Sequence, residues 1–161
     1  MKALLVMLAL GAGKQAAVAG RVADEFRKAV LHDDVEAVIR LAAPGVVHLC
    51  DRGERHDEFA RQLRAREGWW YGALFDTREW VARIRKEGSL PAPSTASHRD
   101  LFQRHPKATP IVRDTGGGRF LVGWKDGSRM LAPAEAPMLI VRVAKKKGVV
   151  EELSLCEGAS P

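Results

Sequence analysis

The sequence predicts an α+β domain in which N-terminal helices pack on one face of a curved, mainly antiparallel, cone-like sheet. Through Phe102 the apolar residues recur at helical spacing, and from Thr109 the period changes to two. Helices first and strands afterwards is the segregation of an α+β fold, and it argues against an alternating parallel sheet. At 161 residues, with 46% apolar and 29% charged residues, the chain fits one hydrophobic core and not a disordered chain.

The chain opens "MKALLVMLALGAGKQAAVAG", with Lys2, an apolar run from Ala3 to Leu10, and Ala17-Val18-Ala19 ahead of Gly20. These are the three regions of a secretory leader, so residues 1–19 are read as a signal peptide and residues 20–161 as the single domain. The apolar run is too short to span a bilayer, which takes about 20 residues. The expected location is therefore the periplasm or the extracellular space. Exported proteins keep disulfides, and Cys50 and Cys156 are the two cysteines available.

After the leader, Val22, Phe26 and Val30 form one helical face that stops near His32. Asp33, three residues before Glu36, reads as the cap of a second helix whose stripe is Val35, Val38, Ile39 and Ala42; Pro44 and Gly45 end it. "VVHLC" (46–50) reads as a strand and "DRGE" (51–54) as the turn after it. From Asp57 the spacing is helical through Phe59 and Leu63 and, past Gly68, Trp70 and Leu74. Asp76 with Glu79 opens a further helix carrying Trp80, Val81 and Ile84, which Gly88 closes.

A Pro- and Ser-rich loop at 88–97 follows, long enough to be functional or mobile. Ser97 with Asp100 then caps a short turn bearing Leu101 and Phe102. "TPIVR", "RFLVGW", "RMLA", "MLIVRVA" and "VVEELSLC" read as successive strands. Asp126-Gly127 is a strong hairpin signal and Lys147-Gly148 a weaker one.

Function is less legible. The formal charge of +6 is scattered over Arg61, Arg64, Arg66, Arg83, Arg85, Lys86 and Lys145 to Lys147, which describes a solvated surface and no nucleic-acid footprint. His32, His48, His56, His98 and His105 form no metal-ligand spacing with each other or with Cys or carboxylates, so no metal and no cofactor is expected. They read as surface histidines, with His48 singled out because it lies mid-strand among apolar residues. "DTGGGR" (114–119) is followed by a strand and not a helix, so it reads as a hairpin loop and not a phosphate cradle.

The element order resembles that of the nuclear-transport-factor-2-like superfamily, which includes ketosteroid isomerase and scytalone dehydratase. "ADEFRKAVLHDDVEAVIRLAAPGVV" is similar to that family's paired helices leading into a strand, and "PMLIVRVAKKKGVVEELSL" to its closing hairpin. The resemblance implies that the first and last strands are parallel neighbours. Cys50 and Cys156, each on the face opposite its strand's core residues, would then be close enough to bridge. It also implies a ligand cavity in the cone between sheet and helices, although no motif carries a catalytic role onto any residue here.

Five of the ten aromatic residues lie in "REGWWYGALFDTREW" (66–80), so this segment decides where a ligand could stack. At about 100° per residue, Trp70 joins the stripe of Phe59, Leu63 and Leu74, and Trp80 joins Val81 and Ile84, which makes both core. Tyr71 and Phe75 fall on a flank, and Trp69 on the other side with partial exposure. Tyr71, Phe75, Trp69 and His48 are the expected ligand-binding residues. The expected function is binding of a small molecule or a protein partner, as a monomer or homodimer and without catalysis. The alternative is an isomerase, dehydratase or hydrolase using a cavity acid or His, with Tyr71 as hydrogen-bond donor.

Overall fold

The computed structural model describes residues 2–49, 52–87 and 95–154, with residues 2–12 and Ser154 described by backbone alone. Cys50, Cys156, Gly88 and most of the Pro- and Ser-rich loop lie outside the described residues. Helix α1 (Lys2–Leu31) runs without a break through the leader-like stretch into the Val22, Phe26, Val30 face. Ala19, Val22, Ala23, Phe26, Ala29 and Val30 are its buried side, the spacing of a core-facing stripe. The helix lies across the sheet and packs tightly at Gly148, where an added Cβ would meet Val22 Cγ2 at 2.9 Å and Val18 Cγ1 at 3.4 Å.

Helix α2 (Val35–Leu41) is capped by Asp34, whose carboxylate accepts from Ala37 N at 2.9 Å. The expected cap, Asp33, instead takes a left-handed φ of 57° to close the turn after α1, and this moves the cap one residue on. Strands β1 (Val46–Leu49) and β2 (Arg52–Arg55) form an antiparallel hairpin, pairing Val46 with Arg55 and Leu49 with Arg52. Three residues of the expected turn "DRGE" are therefore strand: the backbone of β2 completes the ladder of β1 although its side chains are polar and half exposed.

Helices α3 (His56–Ala65), α4 (Gly68–Phe75), α5 (Thr77–Glu87) and α6 (His98–Arg104) come next. The strands that follow are β3 (Thr109–Gly116), β4 (Arg119–Asp126), β5 (Arg129–Met130), β6 (Met138–Ala144) and β7 (Lys147–Ser154). Asp126-Gly127 makes the expected hairpin, with Gly127 at φ 61°. The turn between β6 and β7 uses Lys145 and Lys146, at φ 47° and 69°, and not Lys147-Gly148. Gly148 is instead a strand residue whose missing side chain admits α1.

The strands form one open, curved sheet in the order β2-β1-β7-β6-β4-β3, with β5 paired to β4. β1 and β7 are parallel neighbours, His48 beside Glu152 and Leu49 beside Leu153, while the other pairings are antiparallel. One face carries Val47, Leu49, Phe120, Val122, Trp124, Leu139, Val141, Val150 and Leu153. It packs beneath the helices, so helices on one face of a curved, mainly antiparallel sheet is the observed architecture.

Candidate functional site

The aromatic segment is shaped by a break that the helical wheel cannot see. Arg66 ends α3 in a left-handed conformation, φ 54°, and Gly68 starts α4 at φ 87°. Gln62 bridges the break: its amide oxygen accepts from Trp70 N at 3.1 Å, capping α4, while its amide nitrogen donates to Glu58 at 3.0 Å. Hydrogen bonds from Arg61 and then Gln62 hold the Glu58 carboxyl down at about 2. With the angular phase reset, α4 is apolar nearly all round and is buried on nearly every side, as such a helix must be.

Trp69 is therefore not partly exposed, as the continuous wheel predicts; it is 2% exposed. Its ring packs edge-on against Trp70 at 5.4 Å and Trp80 at 5.1 Å, and the Arg52 guanidinium lies 4.6 Å from its centroid. Trp70 and Trp80 are fully buried, as the stripe predicts, and Trp70 meets Phe59 edge-on. Together with Phe102 against Trp124, these rings occupy the space between helices and sheet where the resemblance implies a ligand cavity. Aromatic packing at that density explains why the sequence places so many large residues there.

Tyr71 and Phe75 do come together. Their rings stand 5.3 Å apart at 33° and form one wall of a cleft of about 330 Å³ at the junction of α4, α5 and α6. Asp76, Thr77, Arg78, Arg99 and Asp100 line the rest. Asp76 is the cap of α5, its Oδ1 accepting from Arg78 N at 2.8 Å and Glu79 N at 3.2 Å. Ser97 caps α6 by accepting from Asp100 N at 3.3 Å. Thr77 fastens the two helix starts together: its hydroxyl donates to Asp100 Oδ2, lies 3.1 Å from the Ser97 hydroxyl, and accepts from Ser97 N at 2.9 Å. The capping signals legible in the sequence thus build the floor of the cleft.

The cleft's charges are unevenly committed. One oxygen of each aspartate is held by protein donors. Arg78 and Arg99 have no acceptor for their guanidinium groups among the described residues, and Arg99 Nε is buried as well as unpartnered. The Tyr71 hydroxyl accepts a long bond of 3.4 Å from Arg66, which is also paired with Asp33, and it keeps its own proton free to donate.

Beneath this floor lies a residue that the sequence reading places at the surface. His98 is fully buried, a correction to the expected surface histidines. One ring nitrogen, Nδ1, bonds the Ala73 carbonyl at 3.0 Å, and Nε2 has no partner. Burial pushes its pKa down to about 4, against a smaller upward pull from Ala73, so at neutral pH the ring is uncharged and donates from Nδ1. Its only sequence signal is its place immediately after a capping Ser.

His48 is elsewhere. It sits half-buried on the face of β1 opposite Val47 and Leu49, as alternation predicts, with its ring over Gly53, where an added Cβ would come within 3.0 Å of Cε1. Of the four expected binding residues, the structure gathers Tyr71 and Phe75 and leaves Trp69 and His48 outside the cleft. Among the described residues no group of His, Cys, Asp or Glu could hold a metal ion, and no helix is long and apolar enough to cross a membrane.

No protein-family model matches the sequence, and no curated protein matches it. Among solved structures the chain is similar to an NTF-2-like protein of unknown function from Shewanella oneidensis MR-1, at 9% identity and a TM-score of 0.39. That similarity covers 85% of this chain and 94% of the other. It is also similar to a de novo designed protein with a curved β-sheet, at 11% identity and a TM-score of 0.36, over 83% of this chain and 94% of that one.

Proposed function

We propose that this protein is a non-catalytic domain that binds a small molecule in the cleft between α4, α5 and α6. The observation that carries the reading is the convergence in one cleft of Tyr71 and Phe75 with Arg78 and Arg99, whose guanidinium groups have no protein acceptor among the described residues. Aromatic surface with a few convergent polar groups is what small-molecule sites are made of. The test is a fragment screen by thermal shift on the wild type and on Tyr71→Ala. Fragments that raise the melting temperature of the wild type and not of the variant support the site; equal shifts in both would place binding elsewhere.

A second reading, an isomerase, dehydratase or hydrolase-type enzyme, is favoured by one feature. His98 is a neutral imidazole with an unpaired Nε2, the state a general base needs. It ranks second because His98 is fully buried and does not line the cleft.

Export is part of the proposal and rests on the leader-like pattern of residues 1–19. Cleavage after Ala19 would remove only small side chains, Ala19, Val18 and Ala16, from the described core and leave Val22, Phe26 and Val30 in place. The mass of the secreted protein checks this, since a chain starting at Gly20 is expected. A cysteine pair that resists alkylation until reduced would add the Cys50–Cys156 bridge.

A further inference from the structure

We infer that folding closes this chain's own processing site: the leader is removed only from a chain that has not yet folded, and a chain that folds first keeps it. This rests on the reading of residues 1–19 as a leader and adds the state of the chain in which it is cut.

The site is marked by Ala17-Val18-Ala19 ahead of Gly20. A peptidase that selects small residues two apart takes its substrate extended, because in an extended chain residues i and i+2 face the same way. Here both alanines lie within the unbroken helix α1, where two steps of about 100° set them on opposite sides. Ala17 is exposed, and Ala19 is 0% exposed. Both are presented together only when this part of α1 is unwound, and unwinding breaks the main-chain hydrogen bonds of at least a turn.

Packing adds to the obstruction. Val18 and Val22 lie over Gly148, 3.4 and 2.9 Å from where its Cβ would stand, and a Cβ at Gly20 would be 3.3 Å from Val112 Cγ2. Exposing the bond after Ala19 therefore means lifting a turn of α1 off β3 and β7. Gly13, by contrast, has nothing within 4 Å of an added Cβ, and Gly13, Lys14 and Gln15 are exposed. The clamp thus covers the cleavage site and not the stretch just ahead of it.

The elements that form this clamp come late. α1 packs on β3, β4, β6 and β7, all of which follow residue 108, so it has no docking surface until most of the chain has been made. Contacts this distant in sequence are also slow to form. The leader is therefore open to cutting during synthesis and threading, and folding ends that window. A route that carries folded proteins across a membrane would deliver this one uncut.

Cell-free synthesis of the full-length chain tests this, with leader peptidase in detergent micelles either present throughout or added after synthesis is stopped and the product has folded. Mass spectrometry reads the fraction starting at Gly20. Cleavage of a folded chain tracks the fraction that is open, so late cutting should be at least about a hundredfold slower than cutting during synthesis. Gly148→Val, which pushes a side chain into the Val18 and Val22 contact, should recover much of the late cutting; Val22→Ala serves if that variant fails to fold. Equal rates early and late overturn the inference and leave the leader reading standing. Late resistance that neither variant relieves also overturns it, since the α1 clamp is then not the cause. No cutting at either time, under conditions where a control preprotein is cut, overturns the leader reading together with the inference.

Discussion

Burial holds the His98 imidazole at about 4, so from an unfolded value of about 6.5 down to that point the unfolded chain binds a proton that the folded chain refuses. Stability is therefore undiminished above the unfolded value and falls as the pH drops toward the folded one. The loss amounts to about 3 kcal/mol at most for a shift of this size. Urea unfolding between neutral pH and pH 4.5 measures it. His98→Asn or His98→Gln should flatten that dependence, whereas an unchanged slope in those variants would assign it to the carboxylates. His98 also shows why single residues are the hardest scale to read from sequence. A lone histidine after a serine looks like any polar loop residue, and only the tertiary position of the Ala73 carbonyl marks it as buried.

At the scale of elements, the α4–α5 junction is the place to press. At Gly72 α5 lies tight against α4: a Cβ there would stand 2.8 Å from Trp80 N and 3.2 Å from Glu79 C, both backbone atoms that cannot step aside. Gly72→Ala should destabilise by about 1–3 kcal/mol through overpacking, despite alanine's better helix propensity. A neutral or stabilising result in denaturant unfolding would mean that the two helices can separate freely. Asp34→Ala, which removes the side-chain cap of α2, should cost about 1 kcal/mol.

The same elements show what sequence pattern can deliver. Asp76 and Ser97 were legible as caps because capping chemistry is local, and each is observed. Gly68 is a legible signal for a break between α3 and α4, but the geometry of that break is not, since it depends on Arg66 and Gly68 taking positive φ and on Gln62 reaching across to Trp70. That break is what buries Trp69 and turns Tyr71 and Phe75 toward the cleft.

For the whole molecule, the change of apolar period at Thr109 and the order of elements were enough to anticipate helices on one face of a curved sheet. The parallel pairing of β1 with β7 was implied by the family resemblance and is present. The burial of Trp69 was not legible, because periodicity says which residues are apolar and not how completely they fill a space. Trp70, Trp80, Trp124, Phe59 and Phe102 are each 1% exposed or less and pack between helices and sheet. Trp70→Ala, at the centre of that packing, should cost about 3–5 kcal/mol, read as a fall in the denaturation midpoint with the slope retained.

What remains is an outer cleft, built where three helix ends meet and lined by residues that lie close in sequence only in part. The claim that this cleft is the binding site is tested most directly by following backbone amide shifts in a labelled sample during titration with a fragment that raises the melting temperature of the wild type and not of Tyr71→Ala. The account predicts saturating shifts concentrated on residues 71–78 and 97–100, with the outer face of the sheet around His48 unmoved. Shifts centred on β1, β2 and β7, or spread evenly over the surface, would contradict it.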